Sequence, residues 1–140
     1  MGRILSIDYG TKRVGIAVTD PLKIIANGLT TVQTKDALEF LKKYLSKENV
    51  ECIVVGEPKN MDNTPSESAK ETNLFVTMLK KNFPVIPIER MDERFTSKIA
   101  FQTLLQSGIK KKERRKNKGL VDEISATIIL QSYLEFINNK

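Results

Sequence analysis

A chain of 140 residues, 40% hydrophobic and 29% charged, has the size and balance of one folded domain with a buried core, which excludes a disordered polymer. The absence of histidine removes the imidazole-based triads and the common zinc sites, so any catalysis falls to carboxylates, lysines, hydroxyls or a metal held by oxygen ligands. The formal net charge is +6, and the run KKKERRKNK alone, seven basic residues against Glu113, carries that whole excess. The rest of the chain is neutral, so one local patch suits a polyanion. No apolar run approaches the roughly 20 residues that cross a bilayer. MGRILSIDYG lacks the apolar stretch and small-residue cleavage site of a secretory signal. The expected address is the cytoplasm, with no membrane partner. The lone Cys52, in the apolar run CIVVG, reads as a core thiol.

Along the chain, RILSID (3–8) and VGIAVTD (14–20) predict two strands joined by a tight turn through Tyr9, Gly10, Thr11 and Lys12. Residues 22–33 predict a third strand after Pro21, interrupted by Gly28. A helix follows over 35–47, with Leu38, Leu41 and Leu45 at helical spacing. ECIVVGE (51–57) is the nearly continuous apolar run of a strand covered on both faces. Thr64, Pro65 and Glu67 form a helix start that predicts a helix to about Lys81, with Ala69, Phe75, Val76 and Leu79 inward. VIPIE (85–89) predicts an edge strand, because Pro87 cannot donate to a ladder. A helix near 96–107 ends at Gly108, and residues 121–137 predict the last helix. Three leading antiparallel strands followed by βα units give an α/β fold with a mixed five-stranded sheet flanked by helices. No linker divides residues 1–140, which predicts one domain.

Three acidic clusters sit at predicted element ends. Asp8 ends the first strand before Gly10, placed either to hold a divalent cation or to cap the turn. Glu89, Asp92 and Glu93 follow the last strand, where they also suit a helix N-terminus. Asp122 and Glu123 open the final helix. Asp122 shares a stripe with Ala126, Ile129 and Tyr133, and Glu123 one with Leu130 and Leu134. Each cluster alone has a structural reading. Together with the missing histidine and the basic run before the third acid, they point to Mg²⁺ or Mn²⁺ and phosphodiester chemistry.

Four segments, IDYGTKRVGIAV (7–18), VVGEPKNMDNT (54–64), DERFTS (92–97) and KGLVDEISATIILQSYL (118–134), resemble in order and spacing the YqgF family, also called RuvX, within the ribonuclease H-like superfamily. The resemblance spans nearly the whole chain. It implies a metal-dependent endonuclease that matures the 5′ end of pre-16S rRNA, with resolution of four-way DNA (Holliday) junctions as the alternative. By position it implies Asp8, Glu93 and Asp122 as catalytic and metal-binding acids, with Asp92 as the alternative middle acid. Asn60, Arg94 and Thr96 match positions that line the cleft. Glu57 departs from the family's usual apolar residue, as a supplementary ligand or an exposed strand-end residue. Lys12 and the basic run, Lys110, Lys111, Lys112, Arg114, Arg115, Lys116 and Lys118, are the expected nucleic-acid contacts. The expected partners are RNA, branched DNA and ribosome precursors; no pattern marks a dimer patch. Two rivals are an actin-like ATPase, for which the chain has room for only one of two subdomains, and a non-catalytic RNA- or ribosome-binding module.

Overall fold

The computed structural model describes residues 2–57, 69–92 and 118–138, and for 118–122 the backbone alone. The described strands are β1 (Arg3–Tyr9), β2 (Arg13–Thr19), β3 (Ala26–Gln33), β4 (Val50–Glu57) and β5 (Ile88–Asp92). The described helices are α1 (Ala37–Lys47), preceded by a 3-10 turn at Thr34–Asp36, α2 (Ala69–Asn82) and α3 (Lys118–Asn138). One five-stranded sheet takes the order β3-β2-β1-β4-β5. The β3-β2-β1 half is antiparallel, and β1-β4-β5 is parallel. The first three strands turn back on themselves through short loops, whereas each later parallel strand needs a helical crossover.

Strand alternation builds a core on each face. Leu5, Ile7, Val14, Ile16, Ile53 and Val55 point one way, onto Ala37 and Leu41 of α1 and Phe75, Val76 and Leu79 of α2. Ile4, Ala17 and Val54 point the other way, onto Ala126, Ile129, Leu130 and Leu134 of α3. Burying each such aliphatic side chain contributes roughly 1.5–3 kcal/mol. These two layers enclose the sheet between helices.

The third strand begins at Ala26, not at residue 22. The Asp20 carboxylate accepts the N–H groups of Leu22, Ile24 and Ile25, which curls residues 20–25 into a compact loop. Gly28 is explained by a register slip: Ile16 pairs with Thr30, but Ala17 pairs with Gly28. The extra residue, Leu29, turns its side chain to the α1/α2 core. The last described strand also shifts, from the expected 85–89 to Ile88–Asp92. A turn closed by Phe83 and Ile86 occupies the start of the expected segment, and Val85 is exposed. Pro87 gives its carbonyl to the N–H of Ile53 at 3.0 Å, joining β5 at the sheet's edge without needing a donor of its own. The final helix starts three residues early, so Lys118 is its first residue and not part of a loop. Cys52 is half-buried, with burial as the first cause raising its thiol pKa. The capping segment at Thr64–Glu67, the helix expected at 96–107 and the basic run from Lys110 to Lys116 lie outside the described residues.

Candidate active site

The site is built on β1, which stands in the middle of the sheet. Its even-numbered side chains Ile4, Ser6 and Asp8 share the face covered by α3, because Ile4 joins the core beneath that helix. Ser6 is fully buried and would carry an unmet hydroxyl, but it donates to the Ala126 carbonyl of α3 at 2.6 Å. Two residues further along the strand comes Asp8, at the open end and only partly buried. Its neighbour across β2 is Gly15. One step past the Ile7–Val55 pair, the parallel register sets Gly56 of β4 on its other side. The carboxylate of Asp8 therefore stands between two strands that offer no side chain at its level. On the side of the strands, Asp8 thus sits in a notch walled by two glycines.

The course of α3 is set by three contacts. Near its start Glu123 lies over Gly28 of β3, where a Cβ on that glycine would meet Oε1 at 2.5 Å and Cγ at 2.8 Å. Ala126 lies over β1 at Ser6, and Tyr133 approaches Cys52 of β4 at 4.0 Å. The helix thus crosses the sheet from β3 toward β5, with its N-terminal turns on the β2–β3 side. Asp122 is one turn before Ala126, about 6 Å along the axis. Asp8 is two residues, about 7 Å, beyond Ser6. Both acids therefore flank one buried hydrogen bond. Glu123 is placed elsewhere, over an edge strand two strand-spacings, ~10 Å, from β1.

The remaining acids separate by face. Met91 joins the core beneath α3, whereas Ile88 joins the opposite core and Arg90 donates to the side-chain oxygen of Asn73 on α2 at 3.0 Å. Alternation then puts Asp92 on the α2 side, paired in register with Glu57, which shares the parity of Ile53 and Val55. Asp92 and Glu57 are neighbours in register at strand ends, and Asp92 also lines a cleft beside α3. Glu93, Asn60, Arg94 and Thr96 lie outside the described residues, as do Lys110, Lys111, Lys112, Arg114, Arg115 and Lys116. Among the described residues no three acidic or cysteine side chains meet as a metal cage.

The turn after Asp8 is pinned to the end of β3. The Thr34 hydroxyl donates to the Gly10 carbonyl at 2.6 Å, and the Thr34 N–H to the Lys12 carbonyl at 3.0 Å. Gly10 is required by the turn itself, since a Cβ there would sit 2.6 Å from the Arg13 carbonyl oxygen. Lys12 projects from this turn, exposed, at the Asp8 end of the sheet. A cleft of about 400 Å³ opens between β5 and the end of α3, lined by Asp92 as well as Glu89, Met91, Tyr133, Phe136 and Ile137, among others. Its helix residues are 11–15 positions beyond Asp122, roughly 16–22 Å along α3, so it is separate from the acidic notch. Ser6, Gly15, Gly56 and Thr34 were not singled out by the sequence; a lone serine inside the apolar strand RILSI was the available signal for the first.

A five-stranded sheet, half antiparallel and half parallel, flanked by helices with the C-terminal one crossing its central strand, defines a ribonuclease H-like α/β protein. The family model described as "RuvX: Holliday junction resolvase" matches residues 2–136. The chain belongs to that family. It is 61% identical over 134 residues to a protein of Flavobacterium johnsoniae, covering 96% of each chain. It is 62% identical over 135 residues to one of Phocaeicola vulgatus, again covering 96% of each. A third relative, from Christiangramia forsetii, is 59% identical over 134 residues, covering 96% of this chain and 98% of that one. All three bear the name "Putative pre-16S rRNA nuclease". Among solved structures, the chain is similar over 99% of its length to 38% of Archaeoglobus fulgidus Pelota, with 14% identity and a TM-score of 0.47. That likeness is too slight to define a fold.

Proposed function

We propose that the protein is a metal-dependent endonuclease that hydrolyses phosphodiester bonds in the 5′-end processing of pre-16S rRNA in the cytoplasm. The observation that carries this reading is the glycine-walled notch of Asp8, flanked by the hydrogen bond that holds α3 across β1. The names of relatives about 60% identical over 96% of the chain support the RNA substrate over a DNA junction.

The donor set is all carboxylate oxygen, which fits a hard cation such as Mg²⁺ or Mn²⁺ and does not fit a soft one. Asp8, Asp122 and a middle acid would hold it. Glu93 takes the middle role, with Asp92, which lines the cleft beside α3, as the alternative. When bound, the ion lowers the pKa of a coordinated water and neutralises charge on the leaving oxygen. The chain's own residues do the rest. Gly15 and Gly56 leave the backbone of the scissile nucleotide room beside Asp8. Ser6 holds the helix bearing Asp122 in place. Lys12, on its pinned turn, and the basic residues 110–116 neutralise phosphates without reading sequence.

The test is a cleavage panel of precursor 16S rRNA, unrelated single-stranded RNA and four-way DNA junctions, each with Mg²⁺, Mn²⁺ or excess chelator. Metal-dependent cleavage of the precursor at its 5′ side, lost in Asp8→Asn while binding persists, is the expected result. Full activity in chelator, or in Asp8→Asn, overturns it. Preferential cutting of junctions moves the substrate to DNA.

A further inference from the structure

A second cleft, of about 310 Å³, opens at the same end of β1 as Asp8 but on the other face of the sheet, and Tyr9, the residue after Asp8, lines it. Alternation sends the two side chains to opposite faces from Cα atoms about 3.8 Å apart. Asp8 shares the face of α3, whereas the Tyr9 ring is half-buried against the α1/α2 core, its centroid 4.9 Å from that of Phe75. The cleft is tied to the turn that follows Asp8. Thr34, which also lines it, donates its hydroxyl to the Gly10 carbonyl at 2.6 Å and its N–H to the Lys12 carbonyl at 3.0 Å.

The lining is apolar and aromatic inside and charged outside. Tyr9, Phe75 and Leu38 are its half-buried or buried members. Leu74 and Met78, one turn apart on α2, flank it while 61% and 43% exposed. Lys35 and Glu71 also line it and are exposed, and Lys12 stands exposed on the turn that Thr34 holds. This pattern is complementary to a nucleotide. An unstacked base has apolar π faces that pack on aromatic side chains, and its flanking phosphates call for cations. Glu71 adds an acceptor of the kind that takes a base amino group. The volume lies at the small end of ligand pockets, about 300–1,000 Å³, which suits one planar group.

We propose that this cleft holds one unpaired base of the RNA strand, from a nucleotide next to the scissile phosphate, against Tyr9. The proposal rests on the nuclease reading with Asp8 at that phosphate, and it adds the substrate class, a strand unpaired at the cut. The base and the phosphate of a nucleotide project to different sides of the sugar. Tyr9 and Asp8 project to different sides of β1 in the same way. A strand laid across the end of β1 therefore gives its phosphate to one face and its neighbouring base to the other. A base within a duplex must first be unpaired and unstacked to enter. Stacking tolerates every base, so the cleft selects single strands over duplexes without selecting a sequence.

The experiment gives the wild-type protein a precursor RNA oligonucleotide spanning the cleaved bond. The RNA is tested intact, with the base removed on either side of that bond in turn, and annealed to a complementary strand. Cleavage efficiency is expected to fall roughly 10- to 100-fold for one of the two abasic RNAs and for the annealed one. Tyr9→Leu should lose as much on intact RNA and nothing further on that abasic RNA, whereas Tyr9→Phe keeps the ring and stays near wild type. Leu74→Glu changes an exposed residue at the mouth of the cleft, so it folds even where Tyr9→Leu does not, and it should lower cleavage of intact RNA several-fold. Wild-type protein that cuts both abasic RNAs as well as the intact one, or paired RNA as fast as unpaired, overturns the base site and leaves the nuclease reading standing. Wild-type protein that cuts no RNA overturns both. An abasic loss that persists undiminished in Tyr9→Leu puts the base elsewhere, and a wild-type dimer in sedimentation that Leu74→Glu dissociates gives the cleft to a second copy. Either result overturns the proposal.

Discussion

Ser6 and Ala126 join the central strand to the C-terminal helix through a fully buried hydrogen bond of 2.6 Å. The two residues are 120 apart in the chain, and each lies next to an acid proposed for catalysis, Asp8 on one side and Asp122 on the other. This bond sets the distance between elements that carry the chemistry, as well as satisfying a buried hydroxyl. Ser6→Ala removes the donor, while the Ala126 carbonyl keeps its acceptor role within the helix. The expected cost in stability is therefore only about 1 kcal/mol, read from urea unfolding. Activity is expected to fall further than stability does, because a small misplacement of a catalytic carboxylate is costly. An unchanged cleavage rate would show that the bond serves packing alone.

Gly28 and Glu123 form a second fixed relationship between sheet and helix. A methyl at residue 28 would overlap the Glu123 side chain at Oε1, Cγ and Cδ. Gly28→Ala is expected to destabilise the protein by about 1 kcal/mol at most, because Gly28 is exposed and the flexible Glu123 side chain can swing aside. Glu123→Ala removes the atoms it would strike, so the double variant should recover most of that loss. Thermal or urea unfolding of the four proteins gives the coupling energy directly. Additive single effects would mean that the glycine is needed for the bulge alone.

Much of this arrangement can be read from the residues. Alternation in RILSID and VGIAVTD, the continuous run in ECIVVG and the spacing of Leu38, Leu41 and Leu45 correspond to β1, β2, β4 and α1 because burial follows periodicity. The errors fall where local polar chemistry overrides that pattern. Ile24 and Ile25 look like strand residues, but Asp20 captures their amides into a loop. Val85 has strand propensity, but the turn after α2 claims it and β5 starts later. Gly28 reads as a defect in a strand until the slip at Ala17 makes it the seat of Glu123. At the site, Asp8 can be marked from sequence as an acid at a strand end, whereas Asp122, expected to open the last helix, is the fifth residue of a helix that begins at Lys118. That Asp92 is in register with Glu57 depends on where β5 begins, which periodicity misplaced by three residues.

That shift in β5 has a kinetic consequence. Asp92→Asn changes an acid that lines the cleft at the far end of α3, and cleavage should stay within a few-fold of wild type. Glu93→Gln is expected to lower kcat by roughly 10²–10³, the scale for losing one electrostatic contributor to a transition state. Single-turnover cleavage of the precursor RNA at saturating Mg²⁺ separates the two. The opposite ranking would make Asp92 the middle acid and would require the end of β5 to twist toward α3.

The far end of α3 offers a pH readout independent of catalysis. Burial pushes the Tyr133 phenol up to about 12, with the neighbouring Cys52 adding to the shift. Because the folded protein holds this proton more tightly than the unfolded chain, whose phenol titrates near 10.0, the contribution to stability is complete below pH 10 and disappears as pH rises through about 12. Tyr133→Phe keeps the ring against the sheet and removes the ionisation. Unfolding midpoints of the two proteins should therefore run parallel up to about pH 10 and converge or cross above it, as the wild type alone loses this contribution. Ultraviolet titration of phenolate absorbance checks the assignment, since the variant should lose the last component to ionise before unfolding. Parallel curves through pH 12 would place Tyr133 in contact with solvent, and the packing of α3 over Cys52 would have to be looser than the 4.0 Å approach of the two side chains implies.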